Sequence, residues 1–314
     1  KAAAIDSLGR EAESSRRLLG ERSTALEKEA AMLRGFAIEL HQTSVRNALV
    51  AELSRPDAEA DLLRCALLLS KHDNPDLDVA AYERGFQQMV RELQTDAEIR
   101  GGTGGAVRRL NRYLFEENGF HGSRSDYSNP SNSYLNEVLD DREGLPITLS
   151  VLYIELARRL GVAGVAGIPL PGRFMVGYQE TEGGEHALVD VYDGGRMLTM
   201  AEGIEEVSAD GLVPDTARQP ASKRDILLRM VRNLLGPLME TRRTSREALP
   251  YLELVLALDP DAARERLARA FVREGLGEKA AAARDVRWML EHLPPGVGED
   301  KRETLEAWLE RLVR

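Results

Sequence analysis

The sequence predicts an α+β fold, with a small antiparallel sheet set between two helical regions. Three observations lead to this prediction. Apolar residues recur at helical spacing through the first part of the chain, the period changes towards two after Val162, and helical spacing returns past Ser222. We therefore divide the 314 residues into an N-terminal helical segment (1–54), an α+β domain with a helical lead-in (55–221) and a C-terminal helical region (222–314).

The overall charge excludes some classes of partner. A formal net charge of −10 argues against nucleic acid and anionic membrane surfaces, because both bind proteins through cationic side chains. No apolar run reaches the roughly 18 residues that a membrane-spanning helix needs. We expect a cytoplasmic protein that binds neither nucleic acid nor membrane.

Cysteine and histidine usage bears on metals and disulfides. The single cysteine, Cys65, excludes an internal disulfide and a cysteine-based zinc cage, and its apolar neighbours predict a small core residue. The five histidines are scattered, without the close pairs that are typical of metal ligands. We expect no metal and no cofactor.

In the N-terminal segment, residues 10–53 predict one or two helices. The first thirty or so residues are too charged to bury a wide face, so we expect an exposed or partner-docked helix, with a docking arm as the functional alternative. Pro56 and Asp57 predict the start of a second helix that runs to Leu69. After a turn at residues 72–76, Asp78 is a suitable N-cap for a third helix from Val79 to about Leu93.

A glycine-rich stretch, Gly101–Gly105, suggests a phosphate-binding loop. It follows a helix rather than a strand and lacks the Gly-Lys-Ser/Thr ending that supplies a phosphate-binding lysine. We therefore interpret it as a flexible loop before a helix that spans residues 106–117.

The central stretch, residues 132–178, combines a polar cluster, a helix and the first two strands. Gly144-Leu145-Pro146 starts a largely buried helix, because proline in the first turn loses no hydrogen bond, and Gly161 ends it. Antiparallel strands are predicted at residues 165–168, 174–178, 187–192 and 196–198, with a hairpin turn at residues 182–185.

The C-terminal region predicts five helices and an internal repeat. The segment Leu256–Pro260 is similar to the segment Leu290–Pro294, which lies 34 residues later. This is the period of a tetratricopeptide helix pair. The predicted helices span Asp225–Glu240, Arg246–Leu258, Ala262–Gly275, Glu278–Leu293 and Lys301–Val313.

Three motifs carry a resemblance to a known family. The segments Asn132–Leu139, Gly144–Tyr153 and Pro171–Val176 resemble the SirB-type bacterial family over roughly residues 60–295 of this chain. The resemblance implies a transglutaminase-like (papain-like) core of helix and antiparallel sheet, followed by tetratricopeptide-like helices.

The resemblance also implies a catalytic triad of Cys, His and Asp, and the chain departs from it at two of three positions. Pro146 stands where the nucleophilic cysteine is expected, and proline carries no nucleophile. Arg173 stands at the histidine position, where a permanently charged guanidinium cannot act as a base. Asp190 alone matches the triad.

An alternative catalytic set uses hydroxyl groups. Thr148 or Ser150 together with His186 and Asp190 is the one combination that we consider. The competing interpretation is that both hydroxyls bond to backbone in the first turns of the helix and that His186 lies on the surface of a hairpin.

The remaining candidates are ligand-binding residues of the cleft. Asn132 and Asn136 either cap helices and brace the cleft or contact a ligand, and Pro146 marks the start of the helix. Arg173 is expected to pair with Asp190 or Asp193, or with a carboxylate of a ligand.

These observations favour a non-catalytic regulatory or scaffolding protein that binds a protein or peptide partner. The alternative is an amide-bond hydrolase or acyl-transfer enzyme with a shifted nucleophile, and a weaker one is an anion site at Arg173. The oligomeric state is left open.

Overall fold

The structure, a computed structural model, describes residues 12–180, 184, 186–208, 213–241, 246–293 and 298–314. The chain forms two compact units, Lys1–Val45 and Arg46–Arg314. The three-part division at residues 54 and 221 stays a prediction. No helix in the described ranges has both the length and the apolarity needed to cross a lipid bilayer.

The first helix, α1 (Ala12–Leu53), is continuous over 42 residues. Its part within the first unit is mostly exposed, as its charged sequence predicts. The exposed large apolar side chains of this part are Leu18, Leu19, Leu26, Met32, Leu33, Phe36, Ile38 and Leu40.

The second helix, α2 (Leu62–Asp73), begins five residues later than predicted and extends further. Pro56 starts a tight turn instead, in which its carbonyl accepts the backbone N–H groups of Glu59 and Ala60. Asp61 is the actual N-cap. The capping prediction for α3 (Val79–Leu93) is confirmed, because the Asp78 side chain accepts the backbone N–H of Ala81.

The glycine-rich stretch is non-helical only at Gly101 and Gly102, so the predicted loop is wrong for residues 103–105, which are helical. A short helix, α4 (Ala97–Arg100), leads into α5 (Thr103–Asn111), which includes two of the glycines, and a π-helical turn (Arg112–Glu117) follows. Only Gly102 breaks the helical path, with φ of 100°. Its carbonyl then accepts the N–H of Ala106 and starts α5.

A 3-10 turn, a short helix and a two-stranded parallel sheet surround the start of the buried helix. A 3-10 turn (Pro130–Ser133) leads into α6 (Leu135–Asp141), and α7 (Pro146–Arg159) follows. Strands β1 (His121–Gly122) and β2 (Glu143–Gly144) pair in parallel, a feature too short for sequence periodicity to show.

The main sheet is antiparallel in the order β3-β4-β5-β6, which confirms the predicted α+β class. Its strands are β3 (Ala166–Ile168), β4 (Met175–Tyr178), β5 (Ala187–Asp190) and β6 (Arg196–Thr199). Strand β5 ends before Tyr192 because the Asp190 side chain turns the chain. Most of the predicted hairpin turn at 182–185 lies outside the described residues.

Helices complete the chain. Helix α8 (Met200–Val207) was not predicted, although Thr199 and Glu202 form a capping box at its start. A 3-10 turn (Asp215–Arg218) follows it. The C-terminal helices match the predicted region: α9 (Lys223–Thr241), α10 (Leu249–Leu258, preceded by a 3-10 turn at Arg246–Ala248), α11 (Ala263–Gly275), α12 (Lys279–Glu291) and α13 (Glu299–Val313).

Helix α7 is the centre of the second unit. Every residue from Ile147 to Ala157 is buried, and the helix packs on β3 and β4 as well as on α2, α3, α5 and α9. Burial on all sides explains its nearly continuous apolar sequence.

Candidate functional site

The start of α7 is held by the backbone of the preceding turn. The carbonyl of Asn132 accepts both the N–H of Leu145 at 3.1 Å and the hydroxyl of Thr148 at 3.0 Å. The Asn132 side chain in turn donates to the Asp126 carbonyl at 2.7 Å. Pro146 occupies the first helical position, where its missing N–H costs nothing.

The two candidate hydroxyls bond to backbone. Thr148 donates to Asn132, and Ser150 donates to the carbonyl of Pro146 at 2.7 Å. Both side chains have no exposed surface. In this arrangement the hydroxyls satisfy carbonyls of the helix and its preceding turn.

The candidate base, His186, directly precedes strand β5. Its Nδ1 atom is buried and lacks a hydrogen-bond partner among the described residues. Burial lowers the pKa of His186, so the neutral imidazole is favoured at pH 7. The structure therefore does not join Thr148 or Ser150 to His186 by a hydrogen bond.

Arg173 lies in an ion-pair network with Asp190. Its Nη1 atom is 3.2 Å from Oδ2 of Asp190 and 2.5 Å from Oε2 of Glu206. Arg196 contacts the same two acids, at 3.7 Å from Asp190 and 2.7 Å from Glu206. Hydrogen bonding from Arg196 is the main reason that the pKa of Glu206 lies below its usual value.

Asp190 also shapes the turn after β5. Its Oδ1 atom accepts the backbone N–H groups of Tyr192 at 3.1 Å and Asp193 at 3.2 Å. Asp193 does not pair with Arg173 but lies 2.7 Å from Arg124 and 3.4 Å from Arg196. Asp190, which the family resemblance places at the aspartate position of the triad, thus fixes the turn after β5 and pairs with Arg173.

Asn136 stands apart from this network. Its amide nitrogen donates to Glu137 at 2.7 Å, and its Oδ1 atom is buried without a partner in the described part of the chain. Among the described residues, no hydrogen bond links it to Arg173 or Asp190. Together, Arg173, Asp190 and Asp193 form one cluster, whereas Asn132 and Pro146 belong to the start of α7.

Four residues of the cluster were missed by sequence reasoning, namely Arg124, Arg196, Glu206 and Arg229. Arg196 and Glu206 lie on β6 and on the unpredicted α8. Arg229 of α9 is half-buried, donates to the Arg173 carbonyl at 3.3 Å and lies over the Phe174 ring. The capping box at Thr199 is the local signal that could have revealed α8.

The arrangement offers fixed charges rather than a metal site. Within the ranges that the structure describes, no three His, Cys, Asp or Glu side chains converge as metal ligands. The cluster of Arg124, Arg173, Arg196 and Arg229 with Asp190, Asp193 and Glu206 carries one more positive than negative formal charge. Its arginines are suited to hydrogen bonding a carboxylate.

Two family models match the chain. Residues 80–232 match the transglutaminase-like superfamily, and residues 235–312 match the tetratricopeptide repeat. The first match contains the Arg173 cluster, and the second covers most of the C-terminal helices.

Curated relatives extend over most of the chain. A UPF0162 protein of Xylella fastidiosa (strain 9a5c) is 34% identical over 245 residues, which cover 76% of this chain and 86% of that protein. A UPF0162 protein of Vibrio cholerae is 24% identical over 238 residues, which cover 74% of this chain and 87% of that protein.

Part of a longer human protein is also similar. F-box only protein 21 of Homo sapiens is 26% identical over 261 residues, which cover 71% of this chain but 40% of that protein. No solved structure shows significant similarity to the chain.

Proposed function

The chain belongs to the UPF0162 family, and from this premise we propose that it is a non-catalytic regulatory or scaffolding protein that binds a protein partner. The kinship with SirB-type proteins, which rests on the motifs of the central stretch, is part of the same proposal. In this proposal the partner binds the tetratricopeptide-like region, and the transglutaminase-like domain supports that region structurally.

The observation that carries the proposal is the state of Arg173. By the family resemblance it stands at the position of the catalytic base, and it forms ion pairs with Asp190 and Glu206. A guanidinium stays protonated at any working pH, so it cannot accept a proton from a nucleophile. Pro146, at the position of the nucleophile, has no reactive atom on its side chain.

The C-terminal helices support the partner-binding part. Tetratricopeptide-like helix pairs present extended surfaces that bind other chains. On α11, the Phe271 ring is 47% exposed and stacks on Trp308 with a centroid distance of 4.4 Å. An exposed ring held by a buried one is a preorganised apolar contact point.

The catalytic part is tested by an activity assay. Wild-type protein and the Ser150→Ala and His186→Ala variants are incubated with a glutamine-containing peptide and with a p-nitrophenyl ester. We expect ammonia and nitrophenol release no faster than in buffer. Turnover by wild type that Ser150→Ala or His186→Ala abolishes would instead establish the alternative, a hydrolase or acyl-transfer enzyme with a shifted nucleophile.

The partner-binding part is tested by quantitative binding. A protein captured from the source lysate is identified, purified and titrated against wild type, Phe271→Ala and Met197→Ala. Met197 is a matched control, because it is a large apolar side chain on the sheet with 40% exposure. We expect Phe271→Ala to raise the Kd about tenfold, roughly 1.4 kcal/mol, and Met197→Ala to leave it unchanged. The reverse pattern contradicts the assigned surface.

A further inference from the structure

A groove between α3 and α6 is separate from the Arg173 cluster. Its volume is about 310 Å³, at the lower end of the range for small-molecule sites. Its wall is mostly apolar, and none of the cluster residues contributes to it. The lining residues are Ala81, Tyr82, Gly85, Phe86, Met89, Leu139, Asp140 and Arg142.

Gly85 lines the groove and has no side chain that would narrow it. Gly85 lies in the middle of α3, where glycine is less favourable than alanine because it has more conformational freedom to lose. A Cβ atom placed on it would meet no heavy atom within 4 Å. Packing therefore does not require glycine here, and its small size leaves the groove open beside Phe86.

Arg142, at the end of the groove, has an unfavourable backbone conformation. It follows α6 with φ of 64°, and it is the one non-glycine with positive φ among the described residues. Glycine or asparagine usually occupies this C-terminal position, because a β-carbon is strained there. An arginine that is kept at a strained position indicates a role for its side chain.

The Arg142 guanidinium has no acidic partner. It lies 4.6 Å from the centre of the Phe120 ring, and in the described part of the chain no carboxylate forms an ion pair with it. The nearby acid, Asp140, instead accepts the Tyr82 hydroxyl at 2.5 Å. Arg142 thus contributes to the lining of the groove a cation that the Phe120 ring orients and that forms no ion pair among the described residues.

We propose that this groove binds a small amphipathic carboxylate, an amino-acid-sized molecule with its apolar body on Phe86, Met89 and Leu139 and its carboxylate on Arg142. Apolar walls with a few oriented polar groups are the usual composition of a ligand site. Here the charged groups are Arg142 and Asp140, and the Asp140 carboxylate already accepts the Tyr82 hydroxyl. Such a carboxylate comes from a free acid or from the C-terminal residue of a polypeptide. Two unfavourable residues, Gly85 and Arg142, meet at one cavity, as expected where function has constrained the sequence.

Isothermal titration calorimetry of the full chain tests this proposal, with N-acetyl-L-phenylalanine and its amide as probes. We expect the acid to bind at least tenfold more tightly than the amide, because only the acid makes charge-assisted hydrogen bonds with Arg142. Equal affinities, or no heat with the acid at millimolar concentration, overturn the proposal.

Variants locate the site. Arg142→Gly and Arg142→Asn both tolerate positive φ, so the protein should melt no lower than wild type while affinity for the acid falls at least tenfold. Gly85→Phe fills the groove and should abolish binding. Arg91→Gln, which removes an exposed cation from the same helix α3, is the control and should bind like wild type. Wild-type affinity in Arg142→Gly contradicts the assignment.

The two sources are separated by a third probe, acetyl-Gly-Gly-Gly-Phe with a free C-terminal carboxylate. If it binds as tightly as N-acetyl-L-phenylalanine, the groove accepts the end of a polypeptide. If its affinity is tenfold lower, the groove is restricted to a free acid. Either result supports a carboxylate site at Arg142.

Discussion

Asp190 performs two structural tasks with its two carboxylate oxygens. One oxygen accepts the backbone N–H groups of Tyr192 and Asp193, and the other faces Arg173 and Arg196. The residue is only 5% exposed, so these partners replace the water that a carboxylate otherwise binds. A catalytic aspartate would need an imidazole to orient, and the described contacts of Asp190 include none.

We expect Asp190→Ala to lower the free energy of unfolding by about 1–3 kcal/mol, because two backbone donors and the guanidinium lose an acceptor. Asp190→Asn should cost less, since the amide oxygen still accepts the turn N–H groups. Urea denaturation measures both. Asp215→Asn is the control, because the Asp215 side chain is 95% exposed, and it should change stability by less than about 0.5 kcal/mol. Equal losses for Ala and Asn would contradict the role in the turn.

Gly203 and Gly85 both lie within helices, but the space around the first is filled and the space around the second is open. Gly203 lies in α8 where a Cβ atom would overlap the side chain of Leu188, which is fully buried in β5. Gly85 in α3 has open space around it. The first glycine allows a helix to approach the sheet closely, whereas the second has no packing reason.

The same substitution should therefore have opposite effects at the two positions. Gly85→Ala gains helix propensity and is expected to raise the free energy of unfolding by about 0.5–1 kcal/mol. Gly203→Ala is expected to lower it by about 1–3 kcal/mol, because overpacking at Leu188 outweighs that gain. Thermal unfolding followed by circular dichroism compares the two. Stabilisation by Gly203→Ala would show that α8 does not pack tightly on the sheet.

At the scale of the whole second unit, a polar cluster joins the α+β part to the C-terminal helices. Asp73 at the end of α2 lies 2.8 Å from His72 and accepts the hydroxyls of Tyr134 at 2.5 Å and Tyr251 at 2.7 Å. Tyr251 belongs to α10, 178 residues further along the chain. Burial alone raises the pKa of Asp73, but these hydrogen bonds outweigh it and leave the pKa below its ordinary 3.8.

This direction predicts how stability depends on pH. A carboxyl group with a lowered folded-state pKa stabilises the fold at pH values above its unfolded pKa, here 3.8, and this contribution is lost as pH falls through the folded value. Asp73→Asn should therefore be about 1–3 kcal/mol less stable than wild type at pH 7.

Urea denaturation at several pH values tests this prediction. The difference between Asp73→Asn and wild type should shrink below pH 3.8, where the unfolded chain binds the proton, and should level off once the pH is below the folded-state pKa. Asp76→Asn, a change of an exposed neighbour, should match wild type at every pH. A difference that does not depend on pH would mean that packing, rather than the charge of Asp73, joins the helices.

Much of the local structure could be predicted because its causes are local. The Asp78 cap and the proline at the start of α7 depend on residues within one helical turn, and they are confirmed. The start of α2 and the helical glycines of α5 were predicted wrongly. In both cases a backbone turn, at Pro56 and at Gly102, decided where the helix begins.

The α+β class, and the lack of a thiol at position 146 and of an imidazole at position 173, follow from the amino-acid sequence. Residue chemistry and periodicity are sufficient for such statements. Three contacts became visible only in the fold: Glu206 pairs with Arg173 across 33 residues, Tyr251 reaches Asp73, and Arg142 lines a groove. These contacts form because burial of the apolar core brings distant segments together, and no local pattern records which polar groups then meet.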